Sequence, residues 1–233
     1  MKEITNWEER ELGDLGFSVG TGVEAEVIQH AEEFGDKAYL GPILAAHKQI
    51  PTHTVIFGPP GYVYQSIESG PTVTSDEAYH QPFLEGRFYI LRPPGDKQSK
   101  ETAYQITLNK YDARGYGWLK AIIGFIFVFP LRRLGNGDYR VPNLFQLGVI
   151  CSELSLYYLR ALSVALYQNL STKLYKYVPR FLQTRKLKLR LSHPSPPEPY
   201  ELLQWPKLLP HGATDPCLLF ACSLTDGSIL QGH

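Results

Sequence analysis

The sequence is poor in cysteine, in surplus charge and in long apolar runs, and each shortage removes a class of protein. Three cysteines in 233 residues, an odd number and widely spaced, make no disulfide framework. A reducing compartment is the resulting expectation. Lys plus Arg equals Asp plus Glu at 23 each, so no overall charge draws the chain to nucleic acid. The longest apolar run, Ala121 to Phe129, is about half of what a membrane span needs. It reads as a core helix and leaves open only a contact with a membrane surface. The opening residues, Met1 to Arg10, are polar and acidic and do not resemble a signal peptide. A cytoplasmic or virion-associated location is therefore expected. There is no internal repeat. His30, His47, His53 and His80 are scattered, and Cys217 and Cys222 have no His pair near them. No zinc-ligand spacing and no phosphate-cradling glycine loop can be found, so neither a metal nor a cofactor is expected.

What is present suits a globular domain with a sizeable core, since 43% of the residues are hydrophobic and 20% charged. Leu15, Phe17 and Val19 alternate as a short entry strand would. Val23 to Phe34 has helical spacing, with Gly35 after it as a cap. Thr52 to Phe57 and Tyr62 to Glu68 are rich in β-branched and aromatic residues, with Gly58-Pro59-Pro60-Gly61 turning between them. Thr72 to His80 is expected to be a short strand and a loop, and Arg87 to Arg92 a strand. Gln98 to Tyr111 and Trp118 to Phe129 are expected helices. A long helix starts at Cys151 and runs to about Asn169, with a further helix over Thr172 to Phe181. Arg185 to Leu191 alternates basic and apolar residues like an edge strand, and Ser192 to Pro199 reads as an extended linker. The division expected is a catalytic domain over 1–170 and a C-terminal extension over 171–233, with no assigned role for the latter.

Cys151 is the residue around which chemistry can be organised. It opens an apolar helix, and a helix N-terminus carries about half a positive charge. That charge favours a thiolate, the form of Cys that attacks carbonyls, and the free N–H groups beside it can receive an oxyanion. A buried structural cysteine would look the same in isolation. A Cys nucleophile also needs a base, and the base needs a third group to hold its tautomer. If the hairpin pairs Phe57 with Tyr64 and Val55 with Ser66, His53 comes opposite Glu68, on one face of the ladder. A slip of one residue would undo that pairing.

The order of these residues resembles that of a known family. His on one strand, Glu on the next, then Cys151-Ser152-Glu153-Leu154 opening a helix, is similar to the circularly permuted NlpC-type, papain-like cysteine amidases and peptidases of the YiiX-like kind. Gly13-Asp14-Leu15 resembles the opening strand of that family. Thr52-His53-Thr54-Val55, Ile67-Glu68-Ser69 and Tyr116-Gly117-Trp118 resemble its His strand, its acidic strand and its Tyr-containing turn. The likeness spans roughly residues 11 to 168. Thr54 departs from it, since a small apolar residue is usual there, and the stretch from Val23 to Ile50 is long.

The resemblance implies an α+β, circularly permuted papain-like fold, with a small antiparallel sheet packed against the catalytic helix. It implies Cys151 as nucleophile, His53 as general base, Glu68 as the group that orients His53, and Tyr116 as an oxyanion-stabilising residue. The implied activity is hydrolysis of an amide, in a peptidoglycan-type peptide, through a thioester. The same triad in permuted relatives also serves lipid acyltransferases and thioesterases. A non-enzymatic assembly module with a vestigial site is the third alternative. The expected partner is thus a peptide or acyl substrate.

Overall fold

Among the described residues six strands form one antiparallel sheet, four of them from runs rich in apolar, β-branched or aromatic residues. The computed structural model describes residues 1–21, 47, 50–112, 149–177 and 216–224, with 26, 29, 30, 114, 115 and 117 as single positions; over 167–177 and at 218 only the backbone is described. The elements expected over 118–129 and 185–191, and most of that over 23–34, lie outside the described residues.

The strands are β1 (Lys2–Ile4), β2 (Leu15–Ser18), β3 (His53–Phe57), β4 (Tyr62–Ile67), β5 (Gly70–Ser75) and β6 (Phe88–Arg92). Their order across the sheet is β1-β6-β2-β3-β4-β5. Four α-helices accompany them among the described residues: α1 (Glu77–Leu84), α2 (Lys97–Tyr111), α3 (Cys151–Tyr177) and α4 (Pro216–Leu224). The protein is thus α+β, with a small antiparallel sheet against which the Cys helix packs.

Strand side chains alternate between faces, and here both faces are covered. Leu15, Phe17, Ile56, Tyr64 and Leu91 join Ala103 and Tyr104 of α2 and Leu154, Tyr158, Leu159 and Leu162 of α3 in the larger core. Each such leucine, fully buried, contributes about 1.5–3 kcal/mol over leaving it in water. Val55, Phe57, Val63, Phe88 and Ile90 face the other way and pack with Trp7, and with Tyr79 and Phe83 of α1. Gly16 lies on this second face, where no side chain would fit. A Cβ there would come within 2.2 Å of Phe88 and 2.6 Å of Val55.

Ion pairs and caps fix the frame. Asp14 is wholly buried just before β2. Its carboxylate accepts from Arg92 Nε at 3.0 Å and Nη2 at 2.9 Å, with Lys100 Nζ at 3.7 Å. A buried charge survives only when paired in this way, and the pairing ties β6 and α2 to the entry of β2. Asp96 caps α2 by accepting from the Ser99 N–H at 2.7 Å.

Three elements differ from what sequence suggests. β1 forms from the polar opening residues because Lys2 to Ile4 pairs with Ile90 to Arg92, which supplies the burial that composition alone does not. The loop expected before His80 becomes α1, which buries no residue fully. The segment 216–224, assigned by sequence to an extension, forms α4 and contributes Cys217, Leu219, Phe220, Ala221 and Cys222 to the larger core. The Phe220 ring lies 4.9 Å from Phe17 and 5.3 Å from Tyr89. No helix among the described residues is long and apolar enough to cross a membrane.

Candidate active site

The site forms where β3 begins and α3 begins. The residue two before the start of α3 is held by backbone bonds and by β4. Val149 bonds Gly115 and Gly117 through its backbone, and its carbonyl accepts from Ser66 Oγ at 2.5 Å. The Ile150 carbonyl then takes the first helical bond, from the Leu154 N–H at 3.1 Å. This leaves Cys151 in the first turn, at the positive end of the helix. Its thiol is buried.

Thr54 clamps the same turn from β3. Its Oγ1 donates to the Cys151 carbonyl at 3.0 Å and shares a 2.7 Å hydrogen bond with Ser155 Oγ. Thr54 is wholly buried, and a hydroxyl so placed must find partners. The Thr54 hydroxyl therefore has a structural use: it pins the helix start to the strand.

His53 is the first residue of β3, and its ring is near enough to Cys151 for the two to shift each other's titration. Its other partner is on β4. The observed register pairs Val55 with Gln65, Ile56 with Tyr64 and Phe57 with Val63. That is one residue off the pairing expected from sequence. The reason is the loop, which is tighter than supposed. Gly58 N–H donates to the Tyr62 carbonyl at 2.9 Å and Tyr62 N–H to the Pro59 carbonyl at 3.0 Å, so only Pro59, Pro60 and Gly61 lie between paired residues. Gly61 closes the loop at φ 87°, a conformation that glycine adopts without strain.

The slip replaces the expected third group. His53 Nε2 lies 2.8 Å from Gln65 Oε1. Glu68 instead occupies the exposed two-residue turn between β4 and β5, and the structure does not bring it to His53. The orientation of the Gln65 amide is fixed on both ends. Its nitrogen donates to Thr74 Oγ1 at 2.7 Å, and its oxygen also accepts from the Tyr79 hydroxyl. An amide oxygen can only accept, so His53 carries hydrogen on Nε2 and Nδ1 is the nitrogen left for the thiol. Tyr116, the fourth residue expected at the site, lies outside the described residues.

The electrostatics follow from this geometry. Burial pushes the Cys151 thiol up. The positive charge of His53, its hydrogen bond and the backbone bonds at Thr54 and Ser152 outweigh burial, and the thiol titrates below its ordinary range. Burial alone would lower His53, but the charge and hydrogen bond of Cys151, with the bond to Gln65, raise it above its usual value. Opposite shifts on two touching groups favour a thiolate beside an imidazolium. Among the described residues, no group of three or more His, Cys, Asp or Glu side chains is placed to hold a metal ion.

Gln65, Tyr79 and Thr54 were not among the residues that sequence reasoning selected. Gln65 had one available signal: a polar residue inside a run of strand formers, Tyr62 to Ile67, three positions before Glu68, the expected partner of His53. Tyr79 had none, since it sits on a helix that the local sequence does not announce. Comparisons of the chain with protein-family models, with curated proteins and with solved structures found no match.

Proposed function

We propose that the protein is a cysteine hydrolase of the permuted papain-like kind, cleaving an amide bond through a thioester, with Cys151 as nucleophile, His53 as acid and base, and Gln65 as the group that orients the ring. The observation that carries this reading is the grouping of Cys151, His53 and Gln65, with the His53 ring 2.8 Å from the Gln65 oxygen and the thiol lowered and the imidazole raised by one another. A nucleophile, a base in contact with it and a third group holding the base are what thiol catalysis requires. The order His, then orienting residue, then Cys at a helix start, with that helix against an antiparallel sheet, supports the permuted topology.

The thiolate of Cys151 attacks the amide carbon, forming the S–C bond while the carbonyl electrons move onto oxygen. The N–H groups of the first turn of α3 are positioned for that oxyanion. Collapse breaks the C–N bond, and the proton on His53 passes to the departing amine. Water then attacks the thioester, giving its proton to His53. The acid leaves, and the thiolate–imidazolium pair returns. Gln65 takes no charge; it keeps Nε2 as the donor, so that Nδ1 always faces the sulfur.

The substrate class proposed is a peptide amide of peptidoglycan type. Incubation with cell-wall peptides and with an acyl-lipid library, followed by mass spectrometry of the intact protein, reads the acyl group added at Cys151. A peptide-derived adduct is expected, and Cys151→Ala is expected to abolish turnover with the fold retained. Full activity in that variant would end the reading. An adduct drawn only from lipids would transfer the same residues to an acyl-lipid substrate.

A further inference from the structure

The Cys–His–Gln series does not stop at Gln65. The side chain of Gln65 spans three neighbours. Its nitrogen is on Thr74 of β5, and its oxygen is shared between His53 of β3 and the hydroxyl of Tyr79 on α1. Two of those three neighbours are hydroxyls, and a hydroxyl can give or take. The ring and the Tyr79 hydroxyl meet the same oxygen, so donation from both favours one sense of the amide. An imidazolium donates from both nitrogens, so it requires the oxygen of Gln65, and Tyr79 is left to donate to that same oxygen. If the amide turned over, its N–H₂ would face the ring. The ring would then have to accept at Nε2 and carry its proton on Nδ1, toward the sulfur, where it could no longer receive the thiol proton.

Tyr79 is also seated where it can do this. Its ring packs on Phe88 with centroids 4.8 Å apart. Its phenol is held up by burial and by the charge of Cys151, so it stays a donor throughout the range in which the thiolate exists. The helix that carries it is lightly held. α1 buries no residue fully and contains Pro82; Tyr79 and Phe83 pack on the smaller core, His80 stacks on Trp7 at 5.0 Å, and Asp76 at its N-terminus accepts from Arg10 at 2.9 Å.

We propose that Tyr79 is a positioning residue for the reaction: by donating to Gln65 Oε1 it holds the amide in the one orientation that keeps Nδ1 of His53 free for Cys151. This inference rests on the function proposed above and names a residue outside the triad on which that function depends. Tyr79 does not touch the sulfur or the substrate in this role. It acts through Gln65, and α1 must be docked for it to act.

The test is a double-mutant cycle read by the rate of Cys151 alkylation with iodoacetamide across pH. The variants are Tyr79→Phe, Gln65→Ala and the pair together, with His53→Ala as a separate control. Tyr79→Phe is expected to slow alkylation at neutral pH roughly three- to tenfold, the scale of one buried hydrogen bond, with the melting temperature nearly unchanged. In the Gln65→Ala background the same substitution is expected to have no further effect, because an intermediary already removed cannot transmit it. Independent, multiplying effects would overturn the proposal, as would a Tyr79→Phe profile superposable on that of the wild type. Gln65→Leu serves as the background if Gln65→Ala does not fold. Imidazole ¹⁵N shifts of His53 add a reading that mere loss of stability would not move: the Nε2–H tautomer is expected to lose population in Tyr79→Phe. Failure of the underlying function is recognised separately, by His53→Ala leaving the wild-type alkylation profile unchanged.

Discussion

Thr54→Val tests whether the start of the Cys helix is held from β3. Valine keeps the shape of threonine and removes one hydroxyl. Two hydrogen bonds are lost, to the Cys151 carbonyl at 3.0 Å and to Ser155 Oγ at 2.7 Å, both buried. At about 1 kcal/mol each, the loss of stability comes to roughly 2 kcal/mol. Thr54→Ser keeps the hydroxyl and should recover most of it. Adding Ser155→Ala to Thr54→Val removes the stranded partner, so the pair should cost less than the sum of the two single changes. Urea denaturation of the wild type and the four variants, Ser155→Ala alone among them, measures these differences. The site provides a second reading: with its first turn unpinned, Cys151 should alkylate several-fold more slowly in Thr54→Val than in Thr54→Ser. A Thr54→Val protein as stable as the wild type, or single costs that simply add in the double variant, would refute the clamp.

Two further outcomes follow from the same geometry. The pH profile has a definite sign. Because the thiol is lowered and the imidazole raised, the ion pair spans the interval between them; alkylation should level off below the ordinary thiol range near about 8.5, and turnover should fall again only when His53 loses its proton. In His53→Ala burial of the thiol is no longer opposed by charge, and the alkylation midpoint should move upward, above that range. The register gives the other outcome: Glu68→Gln should leave turnover within about twofold, as surface changes away from a site usually do, whereas Gln65→Ala should reduce it, which kinetic assay of both variants decides.

How much of this was legible in the sequence depended on how local each signal was. The Cys helix and the two strands of the hairpin declare themselves through runs of apolar, β-branched and aromatic residues. The type of each element was therefore readable, and so was the antiparallel pairing of β3 with β4. Register is a finer quantity, set by the geometry of the turn. Pro59, Pro60 and Gly61 close the loop one residue tighter than the symmetric reading, and every cross-strand partner shifts with it. A carboxylate at 68 was thus exchanged for an amide at 65. β1 and α1 were illegible for a different reason: both owe their form to what they pack against, β6 in one case and Trp7 with Phe88 in the other. α4 likewise gains its place from Phe17 and Tyr89, residues about two hundred and about one hundred and thirty positions earlier in the chain, and no local pattern encodes such a contact.

The adjacency of His53 and Thr54 gives β3 the character of a jig. One residue presents the base and the next grips the helix that bears the sulfur, on opposite sides of a single peptide unit. A displacement of β3 would therefore move the imidazole and the start of the Cys helix together.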